Sequence, residues 1–394
     1  MTKRFQGSFT QQEPLPEAAI EAAVNVMRHG RLHRYNVVEG ETAEAVLLEQ
    51  EFADFVGSKY CLAVASGGYA MATALRALGV GQGDGVLTNS FTLAPVPGAI
   101  ANVGAKPIFV EITEDLVMDL KDLEAKIEAS GAKVLMLSHM RGHLVNMDKL
   151  IAICDAAGVQ VVEDCAHTMG ASWNGTPSGR HGIIGCYSTQ TYKHMNSGEG
   201  GLLVTDDAEV MARATMLSGS YMLYESHAAG APTEVFEDIR LDMPNCSGRM
   251  DNLRAAILRP QLADLPRQCA RWKALYNQME KELAQVEGLA LPYRPAEEDH
   301  VMSSFQFRLL GRSNVEIENF MARCAARGVE LKWFGADAPK GFTSRHDSWR
   351  YVEAQQLPQT DEILSTLLDL RLPLTFSAAD VDCIAGIIRS EVSI

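Results

Sequence analysis

The chain has 394 residues, 47% hydrophobic and 22% charged, enough to bury a sizeable core and to form two domains or three. Its 35 basic and 50 acidic side chains give a formal net charge of −15, which argues against nucleic acid as a partner, because phosphate recognition needs clustered Lys and Arg. No h-region opens the chain, no stretch approaches a membrane span, and the eight cysteines form no C-x-x-C pair, so an acidic enzyme with free thiols, resident in the cytoplasm, is expected.

After a short polar arm, residues 17–27 read as a helix introduced by Pro14 and Pro16, and residues 30–40 as a loop with basic and aromatic side chains. A helix over 45–55 follows, with Leu48, Phe52 and Phe55 on one face, then a strand at Tyr60–Val64 and a helix over 70–78. Further strands are expected at 86–88, 107–111, Val134–Ser138, 160–163 and 185–188. Strands and helices alternating at this spacing predict a mainly parallel central sheet with helices on both sides. Residues 250–286 read as a long helix, apolar at 253, 257, 258, 262 and 265 and bent or interrupted at Pro260 and Pro266. It leads into a smaller C-terminal α+β domain with a strand at 304–310, helices at 315–327 and 378–388, and a loop-rich stretch at 334–359. The large domain, N-terminal arm included, is placed at residues 1–250, and the bridging helix with the small domain at residues 251–394.

Residues 161–201 concentrate the chemistry. Asp164 closes an apolar run, His167 lies three residues on, and Ser188 is followed five residues later by Lys193, just ahead of a glycine-rich turn. Alone, a Glu-Asp after a strand is usually a helix cap, and a lysine before glycines is usually solvated. Together they match what pyridoxal phosphate needs: an acid to keep the pyridine nitrogen protonated, a lysine to form a Schiff base, a hydroxyl for the phosphate, and an imidazole against the ring or its phenolic oxygen. Val64-Ala65-Ser66-Gly67-Gly68-Tyr69 ends a strand and opens a helix whose first amides and dipole suit a phosphate. Phe91 lies at another strand end, where ligands bind in open α/β sheets.

Other patterns are set aside. His139 and His143 follow a strand with no glutamate between them, so no metal site is expected. GVGQGDG follows a helix instead of opening one and is not a dinucleotide loop. Arg31, Arg34, Lys332 and Arg345 could meet a phosphate or carboxylate, and are as readily surface charge.

The order Glu163-Asp164-Cys165-Ala166-His167, Gly182-Ile183-Ile184-Gly185-Cys186-Tyr187-Ser188, Lys193 and Gly198-Glu199-Gly200-Gly201 resembles the signature of the DegT/StrS-type (sugar) aminotransferases, fold-type I pyridoxal phosphate enzymes. Leu48 to Gly57, Ala77 to Asp84, Arg249 to Leu262 and Arg371-Leu372-Pro373-Leu374 extend the likeness over most of the chain. The resemblance implies that Lys193 carries the cofactor and moves the substrate proton, that Asp164 and His167 support it, and that Phe91 stacks on the ring. It also implies that Gly67, Gly68, Tyr69 and Ser188 hold the phosphate. Gly68 stands where the family has threonine, so one hydroxyl donor is missing and the amides of Gly68 and Tyr69 must serve with Ser188. The family's N-x-R asparagine reaches the phosphate of a neighbouring subunit; here Ser247 has that spacing and Asn245 is displaced by two.

The implied enzyme is a homodimeric aminotransferase with shared sites, passing an amino group from glutamate or glutamine to a keto sugar, nucleotide-linked or not, or to a cyclitol ketone, through the pyridoxamine form of the cofactor. A dehydratase or an amino-aromatic acid synthase of the same family, and a non-catalytic cofactor-binding sensor, remain as alternatives. The family's dehydratases typically lose the lysine that this chain keeps.

Overall fold

The computed structural model describes residues 4–394. Its first half alternates helices and strands: α1 (Glu17–His29), α2 (Glu44–Val56), β1 (Tyr60–Val64), α3 (Gly67–Ala77), β2 (Gly85–Asn89), α4 (Pro95–Asn102), β3 (Lys106–Val110), α5 (Leu120–Ser130), β4 (Val134–Ser138), α6 (Met147–Ala157) and β5 (Gln160–Asp164). Two short strands follow, β6 (Ser172–Trp173) and β7 (Thr176–Pro177), then β8 (Ile184–Ser188), β9 (Gly201–Thr205), α7 (Ala208–Ser218) and the single turn α8 (Thr233–Phe236). Side-chain caps start several of these helices: Asp119, Asn146 and Asp207 each accept from first-turn amides.

The seven-stranded sheet has the order β1-β9-β8-β5-β4-β2-β3. Its five central and far strands run parallel, whereas β9 is antiparallel to both β1 and β8. The sheet is thus mainly parallel as expected, and β9 is an additional strand formed by the chain that follows the glycine-rich turn. Alternate residues feed two apolar cores, as the two-residue period of a strand requires. Leu87, Leu135, Val161 and Leu202 pack on one face under α2, α5, α6 and α9 (Asn252–Leu283). Val86, Met136, Val162 and Leu203 pack on the other face under α3, α4 and α7.

Of the expected bend or interruption of the long helix, the interruption does not occur. Helix α9 runs 32 residues through both Pro260 and Pro266. Its first half, Ala255 to Cys269, is packed into the first core and its second half, Leu275 to Leu283, into a third core, so tertiary burial at both ends outweighs two lost backbone bonds. The remaining elements are β10 (Leu289–Ala290), β11 (Glu298–Asp299), β12 (Ser304–Leu309), α10 (Asn314–Ala326), β13 (Lys332–Trp333), α11 (Pro358–Ser365), β14 (Leu367–Arg371) and α12 (Ala378–Val392). Helix α11 packs with Phe91 and Phe334 in a separate cluster, and all the others but β11 contribute to the third core. Here β10-β12-β14-β13 form an antiparallel sheet, and β11 pairs with β6 of the larger half. Phe5 and Phe9 of the N-terminal arm close edge-on against Phe376 in this core, at 5.1 and 5.2 Å between centroids.

Candidate active site

Parallel register sets the site. Ser138 at the end of β4 lies beside Asp164 at the end of β5, and Asp164 lies beside Cys186, two residues before the end of β8 at Ser188. A cavity at these strand ends is lined by Gly67, Gly68, Met71, Leu93, Pro95, Val96, Ser138, Met140, Asp164, Ala166, His167, Ser188 and Lys193. Gly67, Gly68, Asp164, His167, Ser188 and Lys193, separated by up to 126 positions in sequence, therefore share one surface.

The start of α3 forms one wall. Ser66 caps the helix, its Oγ accepting from the amide of Tyr69 at 3.1 Å. First-turn amides have no acceptor within a helix, which leaves those of Gly67 and Gly68 for an anion. A Cβ on Gly67 would lie 2.9 Å from Cβ of Ser188, so only glycine lets α3 come this close to the end of β8. At Gly68 the nearest atoms would be 4.0 Å away, an ordinary contact, so steric fit does not dictate glycine there. The expected use of the Tyr69 amide is corrected, since that amide donates to Ser66; the Tyr69 hydroxyl donates to the carbonyl of Leu217 at 3.0 Å.

Asp164 is buried and held by two donors. Ser138 Oγ donates to Oδ2 at 3.0 Å and the amide of Ala166 to Oδ1 at 3.1 Å. Ser138 is itself fixed: its Oγ accepts from Thr92 Oγ1, and its backbone exchanges two bonds with the Asn89 side chain. Sequence reasoning missed Ser138; its only local signal is that it ends a strand, and its pairing with Asp164 is set by sheet order.

Lys193 sits in a tight turn, its amide donating to Gln190, while Gln261 of α9 both donates to and accepts from the backbone of Asn196. Lys193 Nζ lies 3.1 Å from His167 Nε2. Burial pushes the lysine down to about 8; Asp164 opposes that shift, and the charges of Arg141 and Arg371 reinforce it. Burial, followed by the charge of Lys193, holds His167 well below its usual range. His167 is therefore neutral near pH 7, and Nε2 accepts from Lys193, which assigns the ring proton to Nδ1. A poised amine, a fixed carboxylate and an anion cradle around one cavity are the parts of a proton-transfer site.

Three expected residues lie outside this chain's own cavity, as Asn245 and Ser247 would if they serve a neighbouring subunit. Phe91 does not line the cavity: it is 1% exposed and its ring meets Phe334 edge-on at 5.0 Å in a separate apolar cluster. The loop presents Leu93 to the cavity instead, two residues on. Asn245 and Ser247 form an exposed turn, in which Asn245 Oδ1 accepts from both the amide and the hydroxyl of Ser247, and Ser247 takes a left-handed φ of 50°. Neither lines this chain's own cavity. His139 Nε2 lies within hydrogen-bond distance of Glu163, at 2.9 Å, and Cys165 is adjacent. Glu163 also accepts from the amides of Gly179, His181 and Gly182, so its oxygens are committed to holding that loop. All eight cysteines are unpaired, and among the described residues no helix is long and apolar enough to cross a membrane.

Against known proteins, the DegT/DnrJ/EryC1/StrS aminotransferase family matches residues 16–389. The L-glutamine:scyllo-inosose aminotransferase of Streptomyces griseus is 30% identical over 256 residues, covering 65% of this chain and 60% of that protein. A UDP-N-acetyl-3-dehydro-alpha-D-glucosamine 3-aminotransferase of Acidithiobacillus ferrooxidans is 33% identical over 279 residues, 68% of this chain and 69% of that one. Among solved structures, 3-amino-5-hydroxybenzoic acid synthase superposes with a TM-score of 0.83 at 25% identity, over 98% of this chain and 99% of that one. AtS13 from Actinomadura melliaura superposes at 0.81, also with 25% identity, over 99% and 100%.

Proposed function

This chain belongs to the DegT/DnrJ/EryC1/StrS aminotransferase family, and we propose that it moves an amino group from glutamate or glutamine to a keto sugar, free or nucleotide-linked, or to a related cyclic polyhydroxy ketone, with pyridoxal 5′-phosphate as cofactor. The observation that carries this reading is Lys193, its amine pushed down to about 8 by burial and held 3.1 Å from His167 in the cavity that Asp164 also lines. The acceptor class comes from the relatives' names, one a cyclitol ketone and one a 3-dehydro sugar.

The donor set fits the cofactor. The amides of Gly67 and Gly68 at the positive end of α3, with Ser188 Oγ beside them, suit the phosphate dianion, and the absent Cβ at Gly67 keeps that cradle open. Asp164, fixed by Ser138 and Ala166, would hold a proton on the pyridine nitrogen, and Leu93, Met71, Val96 and Ala166 offer apolar surface to the ring. When bound, pyridoxal phosphate supplies an electrophilic aldehyde and a ring that takes up the electron pair left at a deprotonated carbon.

The chain's own residues do the rest. Lys193 Nζ, in its neutral form, would be the group that holds the cofactor as a Schiff base, and as a free amine it would be the base that takes the proton from the donor's Cα. Neutral His167 orients Nζ through Nε2 without adding a charge that would repel it. Apolar walls exclude water that would otherwise solvate the amine. The same protein is proposed to act in the cytoplasm as a homodimer with shared sites. Eight unpaired cysteines support the first point, and an exposed Asn245–Ser247 turn outside its own cavity supports the second.

The test uses purified holoprotein. Added L-glutamine or L-glutamate should abolish the absorption band of lysine-bound cofactor, and a ketone such as scyllo-inosose should restore it. A cofactor spectrum unchanged by either donor contradicts the reading and leaves the sensor alternative.

A further inference from the structure

Three cations gather around a single carboxylate, and two of them, Arg141 and Arg371, act on Lys193. Asp369 and Arg371 are two residues apart on β14 and share a face, and Lys332 of β13 is directly opposite Asp369 in the register, hence on that face too. Arg141 reaches the same point from the turn after β4, with Nη2 3.0 Å from Asp369 Oδ2. Arg371 stacks over the ring of Tyr192, the residue before Lys193, at 4.1 Å, and lines a second cavity that also reaches Lys193. The turn carrying Arg141 abuts His167, since a Cβ on Gly142 would come within 3.3 Å of the His167 carbonyl.

Asp369 cannot neutralise all three. Its Oδ1 is already taken by Gln306 Nε2 at 2.7 Å, and it forms no aligned hydrogen bond to Arg141 despite the short separation. Arg141 is 7% exposed, with Nε and Nη2 lacking hydrogen-bond acceptors, and it adopts a left-handed φ of 58° that non-glycine residues rarely take. Among the described residues Arg371 and Lys332 have no ion pair at all. Elsewhere partly or fully buried arginines have carboxylate partners: Arg31 with Glu41, Arg34 with Glu49, Arg294 with Glu298, Arg308 with Glu114 and Arg345 with Asp347. In a protein with 50 acidic and 35 basic side chains, a buried guanidinium with two nitrogens lacking hydrogen-bond acceptors, whose one carboxylate is shared with two further cations, points to a site for an anion.

We propose that Arg141, Lys332 and Arg371 form a subsite that binds a carboxylate of a reactant next to Lys193, so that this protein selects acidic substrates; the proposal rests on the aminotransferase reading of the same cavity. The ligand is a small carboxylate at the reacting end of the substrate, because Arg371 and Lys193 line one cavity and Arg141 is buried. The positive charge of Arg141 and Arg371 also contributes to keeping Lys193 down, and a bound anion would partly cancel that effect.

The carboxylate belongs either to the amino donor or to an acidic acceptor, and two measurements separate them. Glutarate, which cannot react, and its neutral isostere glutaramide are titrated into holoprotein by calorimetry. Glutarate should bind at least about tenfold more tightly, and Arg141→Gln and Arg371→Gln should each weaken glutarate about tenfold or more without affecting glutaramide. Arg141→Lys should restore part of the loss. Arg371 is only partly buried, so its variant keeps the test open should Arg141→Gln fail to fold. Glutarate binding no better than glutaramide, or binding Arg371→Gln as well as the parent, overturns the proposal. If the same variants raise the L-glutamate concentration needed for the spectral half-reaction, the carboxylate is the donor's. If that concentration is unchanged while glutarate binding is lost, it is the acceptor's. Glutarate binding through these residues in a protein whose cofactor spectrum ignores every amino donor would retain the anion site and dismiss the aminotransferase reading.

Discussion

The two faces of the sheet at the end of β5 receive consecutive, buried carboxylates and treat them differently. On one face Glu163 accepts from His139 and from the amides of Gly179, His181 and Gly182. Burial alone would push it up, but the hydrogen bonds from His139 and from the Gly182 amide hold it below the usual carboxylate range. On the other face Asp164 accepts from Ser138 and Ala166 and opens onto the cavity that holds Lys193. A buried carboxylate whose acceptor sites are filled by the protein is a strut; one left facing a cavity, with an amine of shifted pKa nearby, is available for chemistry. Side-chain alternation along one strand puts the two uses a single residue apart.

The comparison breaks if both residues respond alike to removal of charge. Asp164→Asn should lower turnover on the order of 100-fold or more, because a neutral amide cannot stabilise a pyridinium, while the thermal midpoint stays close to that of the parent. Glu163→Gln should do the reverse: a loss of about 3 kcal/mol in urea unfolding, from a buried pair left with mismatched donors, and an unchanged cofactor spectrum. The sign of the pH effect follows from the depressed folded-state value. The stabilisation by Glu163 is present above its ordinary pKa near 4.5 and disappears as pH falls through the lower folded value, so the variant should lose less stability on acidification than the parent. The smallest effect sharpens the cavity side. With Lys193 near 8, capture of added pyridoxal phosphate by apoprotein should speed up about tenfold from pH 7 to pH 9 and then level off. A rate still climbing steeply above pH 9 would mean a lysine with solvent-like behaviour.

Legibility in the sequence followed locality. β1 and β4 match their expected bounds, and β5 and β8 differ by one residue, because buried strands are short apolar runs between turn signals. Asp164, His167, Ser188 and Lys193 could be picked out because each pair is joined by a few residues of chain. Phe91 was misplaced because an aromatic at a strand end gives the same sequence signal whether it faces a ligand or a core, and here Phe334 claims its ring. Tyr69 was misassigned because the cap formed by Ser66 decides which first-turn amides remain free. Ser138 and the Arg141–Asp369 contact were beyond reach: the first depends on which strand neighbours β5, and the second joins residues 228 positions apart. Lys332 was one of four cations singled out, and only the structure shows that Arg31, Arg34 and Arg345 have carboxylate partners while it has none among the described residues.

The most direct measurement is to reduce the holoprotein with borohydride, digest it and locate the modified peptide by mass spectrometry, with Lys193→Ala in parallel. We expect the phosphopyridoxyl mass on the peptide containing Lys193 and none in the variant. The same mass on another lysine, or no adduct from protein saturated with pyridoxal phosphate, would contradict the assignment of this cavity and the reaction built on it.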